Sequence, residues 1–442
     1  MRRGLIVLAV VAMLLGVMSP AAEAKVTRIV YTVDEESLPF EPLGGFGDAQ
    51  LEWGVLEGAG WRIEIPAEWN GDLVMWAHGF RGDIPTLSFG PDEEVPARRW
   101  LLENGYAWAA STYSKNSYNV GTAVSDTRKL NRHFKNVAGR KANRNYIAGA
   151  SMGGHITAVS IERFPNVYDG AMPVCGVLGD FELFDYFLDF NLAAQQIALG
   201  ESQFPVADDY PTAGVSAIKA ALVTDGGEWP NELNDKGQAF KQLVELRSGG
   251  DRPNFDEAWA FWNASDFLFG LGLGDGTVAE RRGVAIDNTD AFYETDLIAG
   301  PSNDLEIDLN AGIARVAHDR KARKGGVRVP SPELTGKIKV PVLTMHNLGD
   351  LFVPFHMETE YQATVAARGN SDLLVQRAIR GVRHCGFTTA EYEQGFADLV
   401  DWVENGNKPD GDDVGGPAAV ADPNFGCRFT DPEGGHFLAT AC

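Results

Sequence analysis

The chain has 442 residues, enough for one large domain carrying an inserted subdomain, and its 44% hydrophobic share is ordinary for a protein with a sizeable core. The formal net charge of −23 makes nucleic acid and anionic membranes poor partners. An acidic surface favours solubility and does not by itself point to a substrate.

The first 24 residues read as a signal peptide. Arg2 and Arg3 precede an apolar run over residues 5–18, and Ala22-Glu23-Ala24 has the small-residue form of a cleavage site. The expectation is export to the periplasm or the medium, with no stable membrane insertion after cleavage. No later stretch is long and apolar enough to span a bilayer.

Beyond it, residues 26–33 are predicted as a strand and the Pro- and Gly-rich stretch to 47 as a loop. Residues 61–65 alternate apolar and polar side chains, the pattern of a half-exposed strand. A more continuously apolar strand over 73–77 runs into His78-Gly79-Phe80. A helix is predicted over 98–103, a strand over 106–110, and an amphipathic helix over 120–135 from its three-four apolar spacing. The apolar run from Asn145 is broken by Gly149-Ala150-Ser151-Met152-Gly153. A helix over 156–164 follows, closed by Pro165, then a strand over 171–175. Alternating strands and helices imply a mainly parallel sheet covered by helices, with ligands bound beyond the carboxyl ends of its strands.

Residues 180–339 break this alternation and read as an inserted helical cap, rich in rings such as Phe181, Phe184, Phe187, Trp259, Phe261, Trp262 and Phe267. Within it, Asp304, Glu306, Asp308 and Asn310 alternate with apolar residues. That reads as the solvated face of a strand, with structural calcium as the alternative for clustered hard oxygens. No other metal or cofactor is expected. The sheet resumes with strands near 340–345 and 373–379. Thr388 and Glu391 have capping-box spacing before a helix with one apolar face. The core therefore comprises residues 25–179 and 340–404, and residues 405–442 form a loop-like tail.

Four cysteines in an exported chain permit two disulfides, with three pairings open. Cys427 with Cys442 would close a short loop in the tail, leaving Cys175 with Cys385. Their spacing matches no zinc pattern.

The pentapeptide around Ser151 is a G-x-S-x-G sequence between a strand and a helix, the setting of a nucleophile elbow. A serine hydroxyl needs a base, and the base needs an orienting acid. Asp350 and His384 follow later strands in that order. His346, at a strand end near Asp350, is the rival base; Asp180 and Asp185 are the reserve acids. An ester carbonyl that gains charge also needs N–H donors. Met152 and Phe80 are expected to supply them, with Gly79 allowing close approach and His78 bracing the loop.

Strand-His-Gly-Phe, Gly-Ala-Ser-Met-Gly-Gly, Gly-Asp-Leu-Phe-Val-Pro and His-Cys-Gly-Phe together resemble the α/β-hydrolase superfamily over residues 61–174 and 340–403. The resemblance implies that fold and a Ser151, His384, Asp350 triad. Pro66-Ala67-Glu68-Trp69-Asn70-Gly71, His384-Cys385 and the Trp402-to-Pro409 ending are also similar to secreted feruloyl esterases and tannases. In that family a cysteine beside the serine pairs with the one beside the histidine. Here Ala150 holds that place, and Cys175 is the substitute the resemblance leaves. Ser-Met-Gly-Gly is equally similar to polyester depolymerases and prolyl-oligopeptidase-like peptidases. The expected activity is hydrolysis of an apolar or aromatic carboxylic ester, small or polymeric, through an acyl-enzyme. Peptide or amide cleavage by the same triad is the alternative, and a non-catalytic binding protein on this scaffold is the more distant one.

Overall fold

The computed structural model describes residues 29–90, 95–279, 283–295, 303–325 and 329–442; the expected signal peptide over residues 1–24 lies outside the described residues. Its strands are β1 (Thr32–Val33), β2 (Gln50–Leu56), β3 (Ala59–Ile65), β4 (Leu73–Ala77), β5 (Thr86–Leu87), β6 (Ala107–Tyr113), β7 (Asn145–Ala150), β8 (Gly170–Val174), β9 (Val342–Asn347) and β10 (Leu374–Ile379). β1 and β5 form a small parallel pair. The other eight make one sheet in the order β10-β9-β8-β7-β4-β6-β3-β2, antiparallel only where β3 meets β2 and β6. That order, with helices on both faces, is the α/β-hydrolase fold.

Side chains that alternate along a strand face opposite sides of a sheet, and the two sides here have separate cores. Leu73, Met75 and Ala77 of β4 pack with α2 (Val120–Ala138) and α3 (Met152–Arg163), which follow α1 (Arg98–Glu103) in the chain. Val74 and Trp76 point the other way, into a core shared with Leu101 and Leu102 of α1. Burial on both faces explains why the parallel strands read as continuous apolar runs.

The half-exposed reading of residues 61–65 is corrected: β3 is buried at every position. Its polar residues are buried with partners. Glu64 accepts Arg98 Nε at 2.7 Å, Arg98 Nη2 at 2.9 Å and Trp108 Nε1 at 2.5 Å. Arg62 donates to the carbonyls of Ser37, Leu38 and Pro39. Alternation marked the two faces correctly, but the N-terminal segment and α1 cover the polar one.

Between β8 and β9 the chain forms α4 (Glu182–Leu199), α5 (Val215–Leu222), α6 (Asp235–Ser248), α7 (Phe255–Asn263), α8 (Asp304–Gly312) and α9 (Arg320–Arg323). α4 to α8 pack around a core that Leu351 and Val382 join from the loops after β9 and β10, and in which Phe190, Phe240, Trp259 and Phe269 meet edge to face. The strand expected around Asp304 is instead helix α8, with Asn303 capping it through Glu306 N–H at 2.8 Å. A helix turns about 100° per residue, so Asp304 and Asp308 share one face of α8, and Glu306 and Asn310 share another. Glu306 accepts the Thr295 N–H, and Asn310 is paired both ways with the Tyr293 backbone.

After β9 come α10 (His356–Ala366), β10 and α11 (Thr389–Asn405), which opens on the Thr388–Glu391 capping box. The tail is mostly loop, with one short helix, α12 (Pro417–Val420), and it is pinned to the core by Arg380, which donates to Phe425 O at 2.8 Å. Disulfides join Cys427 to Cys442 and Cys175 to Cys385. Among the described residues, no helix is long and apolar enough to cross a membrane.

His436 docks the tail, facing Glu391 Oε1 at 2.8 Å and Gly386 O at 3.0 Å. The hydrogen bond to Glu391 raises its pKa above the ordinary value of about 6.5. A raised histidine pKa contributes stability that is complete below the unfolded value and is lost as pH rises through the folded one. His436→Gln should therefore lower the melting temperature more at pH 5.5 than at pH 8.5, as thermal denaturation at the two pH values will test.

Candidate active site

Ser151 sits in the turn between β7 and α3 with φ 61° and ψ −124°, a conformation that costs a residue with a Cβ on the order of 1–3 kcal/mol. The surroundings hold it there. Its N–H donates to Val174 O at 3.1 Å, and its carbonyl accepts Gly154 N–H at 2.9 Å. The flanking glycines are sterically required. A Cβ on Gly149 would lie 2.4 Å from Gly153 O, and one on Gly153 would lie 2.0 Å from Ala77 O. The turn presses against β4 so closely that only hydrogen fits at either place.

The loop after β4 passes beside the serine. A Cβ on Gly79 would be 3.2 Å from Ser151 Cβ and 3.6 Å from its Oγ. His78 stacks on Tyr113 with ring centroids 4.1 Å apart, and its Nδ1–H donates to Gly79 O at 2.7 Å. Burial, reinforced by Arg81, holds its pKa well below the ordinary histidine value. His78 is thus a neutral strut inside the loop. Phe80 follows it, 45% exposed and lining the same cleft as Ser151.

On the other side of the serine's strand, the loops after β9 and β10 bring two more groups together. His384 Nδ1–H donates to Asp350 Oδ2 at 2.5 Å. The other oxygen, Oδ1, accepts the N–H groups of Phe352 and Val353, both at 3.0 Å. These donors orient a carboxylate that is wholly buried. The Phe352 ring meets the His384 ring edge-on at 5.1 Å. Cys385 Sγ lies 3.4 Å from His384 Nε2, and its disulfide to Cys175 ties the histidine loop to the end of β8, the neighbour of β7. Cys175, His384 and Cys385 cluster closely, but both sulfurs are spent on the disulfide rather than offered to a metal.

The other candidate residues have partners of their own. His346 is buried on β9, with Nε2 2.8 Å from Val353 O and Nδ1 3.3 Å from Glu358 Oε1. Asp180 accepts the N–H groups of Phe181 and Leu334, and burial pushes its carboxyl up to about 7. Asp185 pairs with Arg323 at 2.5 Å. His155 lies one turn beyond Ser151, buried in α3. Its Nε2–H donates to Pro332 O at 2.8 Å and its Nδ1 accepts Tyr118 OH at 2.9 Å, while burial pushes its pKa down to about 4.

A cleft of about 570 Å³ opens at Ser151. Phe184 and Phe187, foreseen among the insertion's rings, form part of its wall, together with Tyr118, Leu271, Val278 and Phe352. Tyr118 and Leu271 carried no sequence signal: each lies in a loop whose path depends on the packing of the insertion. Trp262 was also missed as a site residue. Its Nε1–H is shared between Gly349 O at 2.9 Å and Val382 O at 2.8 Å, joining the loops that carry Asp350 and His384.

No protein-family model matches the sequence. An o-phthalyl amidase of Xanthobacter agilis is 26% identical over 434 residues, covering 86% of this chain and 93% of the relative. Among solved structures, feruloyl esterase B from Aspergillus oryzae is similar with a TM-score of 0.44 and 15% identity, over 80% of each chain. An esterase from the same fungus gives a TM-score of 0.43 and 15% identity, over 82% of this chain and 80% of the other.

Proposed function

We propose that this protein is an exported serine hydrolase that cleaves carboxylic esters of apolar or aromatic acids through an acyl-enzyme. One observation carries the reading: a buried Asp350 hydrogen-bonded to His384 on the same end of the sheet as a serine held in a strained elbow. In this reading Ser151 Oγ attacks the carbonyl carbon and His384 Nε2 takes its proton. Asp350 keeps the proton of the neutral ring on Nδ1 and stabilises the imidazolium. The N–H groups of Phe80 and Met152 meet the oxyanion. His384 then protonates the leaving oxygen, and water releases the acid by the same steps in reverse order. The aromatic cleft wall supports an aryl or bulky apolar acyl group, and the two disulfides fit an oxidising compartment.

A second reading, amide cleavage, is favoured by the similarity to the o-phthalyl amidase. The same groups serve it, since His384 can protonate a leaving amine as readily as an alcohol. Benzoyl and o-phthalyl esters and the matching amides, compared on the purified protein, will separate the two. The ester reading requires that kcat/KM for the ester exceed that for the amide of the same acid by more than their difference in chemical reactivity.

A fluorophosphonate probe tests the shared premise. A single adduct mapped by mass spectrometry to the peptide holding Ser151 is the expected result. An unlabelled protein that also leaves every ester and amide intact would favour a binding protein on this scaffold.

A further inference from the structure

Beyond the acyl cleft, a second apolar feature begins at the same histidine. Phe352, in edge contact with His384, lies 5.1 Å from Phe267. Phe267 lies 5.6 Å from Trp262, Trp262 5.2 Å from Phe261, and Phe261 5.4 Å from Phe437 of the tail. Five rings thus run from the imidazole to the surface, contributed by the loop after β9, by α7 and the turn after it, and by the tail. Phe267 and Phe437 are each 42% exposed. A continuous apolar strip is unusual on a chain with a net charge of −23, and exposed apolar patches of this kind mark places where something binds.

Its position says which part of a substrate meets it. In acyl transfer the imidazole hands its proton to the departing group, so that group must lie on the imidazole's side of the reacting carbon. Phe352 both lines the cleft and touches His384, so the strip continues the cleft on that side. The ring-to-ring spacing suits a succession of aromatic units, each of which can stack on or meet the edge of a protein ring. At the outer end the Arg383 guanidinium lies 4.5 Å over Phe437 and holds that ring at the rim.

We infer that this strip is a leaving-group subsite, and that the substrate is an ester whose alcohol portion carries two or more linked aromatic rings. This rests on the serine-hydrolase reading above and adds the side of the scissile bond that the acyl cleft leaves unspecified. Trp262 has a separate duty in bracing the loops of Asp350 and His384, so the exposed rings are the ones to vary.

Three benzoate esters share one acyl group and differ in the leaving alcohol: methanol, benzyl alcohol and biphenyl-4-ylmethanol. The readout is the ratio of kcat/KM for the biphenylmethyl ester to that for the methyl ester. The expected ratio is at least tenfold in the wild type, falling about three- to tenfold in Phe267→Ser and Phe437→Ser and retained in Phe267→Tyr. A ratio unchanged in both serine variants would overturn the subsite while leaving the serine-hydrolase reading intact. If no ester is cleaved, the ester reading fails on its own account, and calorimetry with biphenyl-4-ylmethanol judges the strip instead. Binding at least tenfold weaker in the Phe267→Ser, Phe437→Ser double variant supports the subsite; equal binding, or none to the wild type, overturns it.

Discussion

Replacing Asp350 with Asn is expected to lower kcat on a good ester substrate about 10⁴-fold while the protein stays folded. The substitution is nearly isosteric, and the amide oxygen of Asn can keep the two N–H donors of Phe352 and Val353 that now hold Oδ1. That places the amide NH2 where Oδ2 now faces His384. An NH2 group donates and cannot accept, so the ring must turn its Nδ1 lone pair toward it and carry its proton on Nε2. An imidazole protonated there has no lone pair to receive the proton of Ser151. Loss of the negative charge removes, in addition, the stabilisation of the imidazolium. Steady-state kinetics with a melting curve will check the claim. A loss below about tenfold would mean that Asp350 is not the orienting acid, and a collapsed melting transition would mean that its role is structural.

The second large effect belongs to the disulfide between Cys175 and Cys385. The cysteines are separated by 210 positions in sequence, so the bond closes a long loop that includes the whole insertion. Chain-entropy arguments put the cost of removing such a cross-link at about 5 kcal/mol, against about 3 kcal/mol for a loop as short as that between Cys427 and Cys442, whose separation is 15. The larger difference lies in function. Cys385 adjoins His384, whereas Cys427 and Cys442 lie in the tail. The Cys175→Ala, Cys385→Ala double variant should lose both stability and most of its kcat. The Cys427→Ala, Cys442→Ala variant should lose stability while keeping most of its kcat. Denaturant titration and steady-state rates on both proteins will show it. Equal rates in the two variants would remove the histidine-positioning role from Cys385.

How much of this was legible in the chain varies element by element, and for reasons that can be named. The apolar runs over 73–77 and 145–150 and the strands near 342 and 374 were readable because strands buried on both faces need no alternation, only length and turn residues at their ends. Helix α11 announced itself through Thr388 and Glu391, since a capping box is a local hydrogen-bond pattern. The strand read over 26–33 is, among the described residues, only Thr32–Val33, and β2 was not foreseen; two further misreadings were of burial or period. β3 has the alternation of a half-exposed strand, but Glu64 and Arg62 are covered, because Arg98 and the carbonyls of residues 37–39 come from distant parts of the chain. Residues 304–310 alternate like a strand over a stretch too short to exclude a helix, and the Asn303 cap decided the matter.

By itself, then, the sequence determined the elbow around Ser151, the glycines it requires, the loop of His78 and Gly79, and the order in which Asp350 and His384 follow. These are local or ordinal properties, set by which side chains a sharp turn tolerates and by where loops fall along an alternating chain. The tertiary structure alone decided which rings of the insertion face the serine, that Trp262 braces both the acid and histidine loops, and that Cys175 reaches Cys385. Those contacts join positions tens to hundreds of residues apart, and they follow from how the insertion and the tail pack over the sheet's carboxyl edge. No periodicity within the chain records that packing.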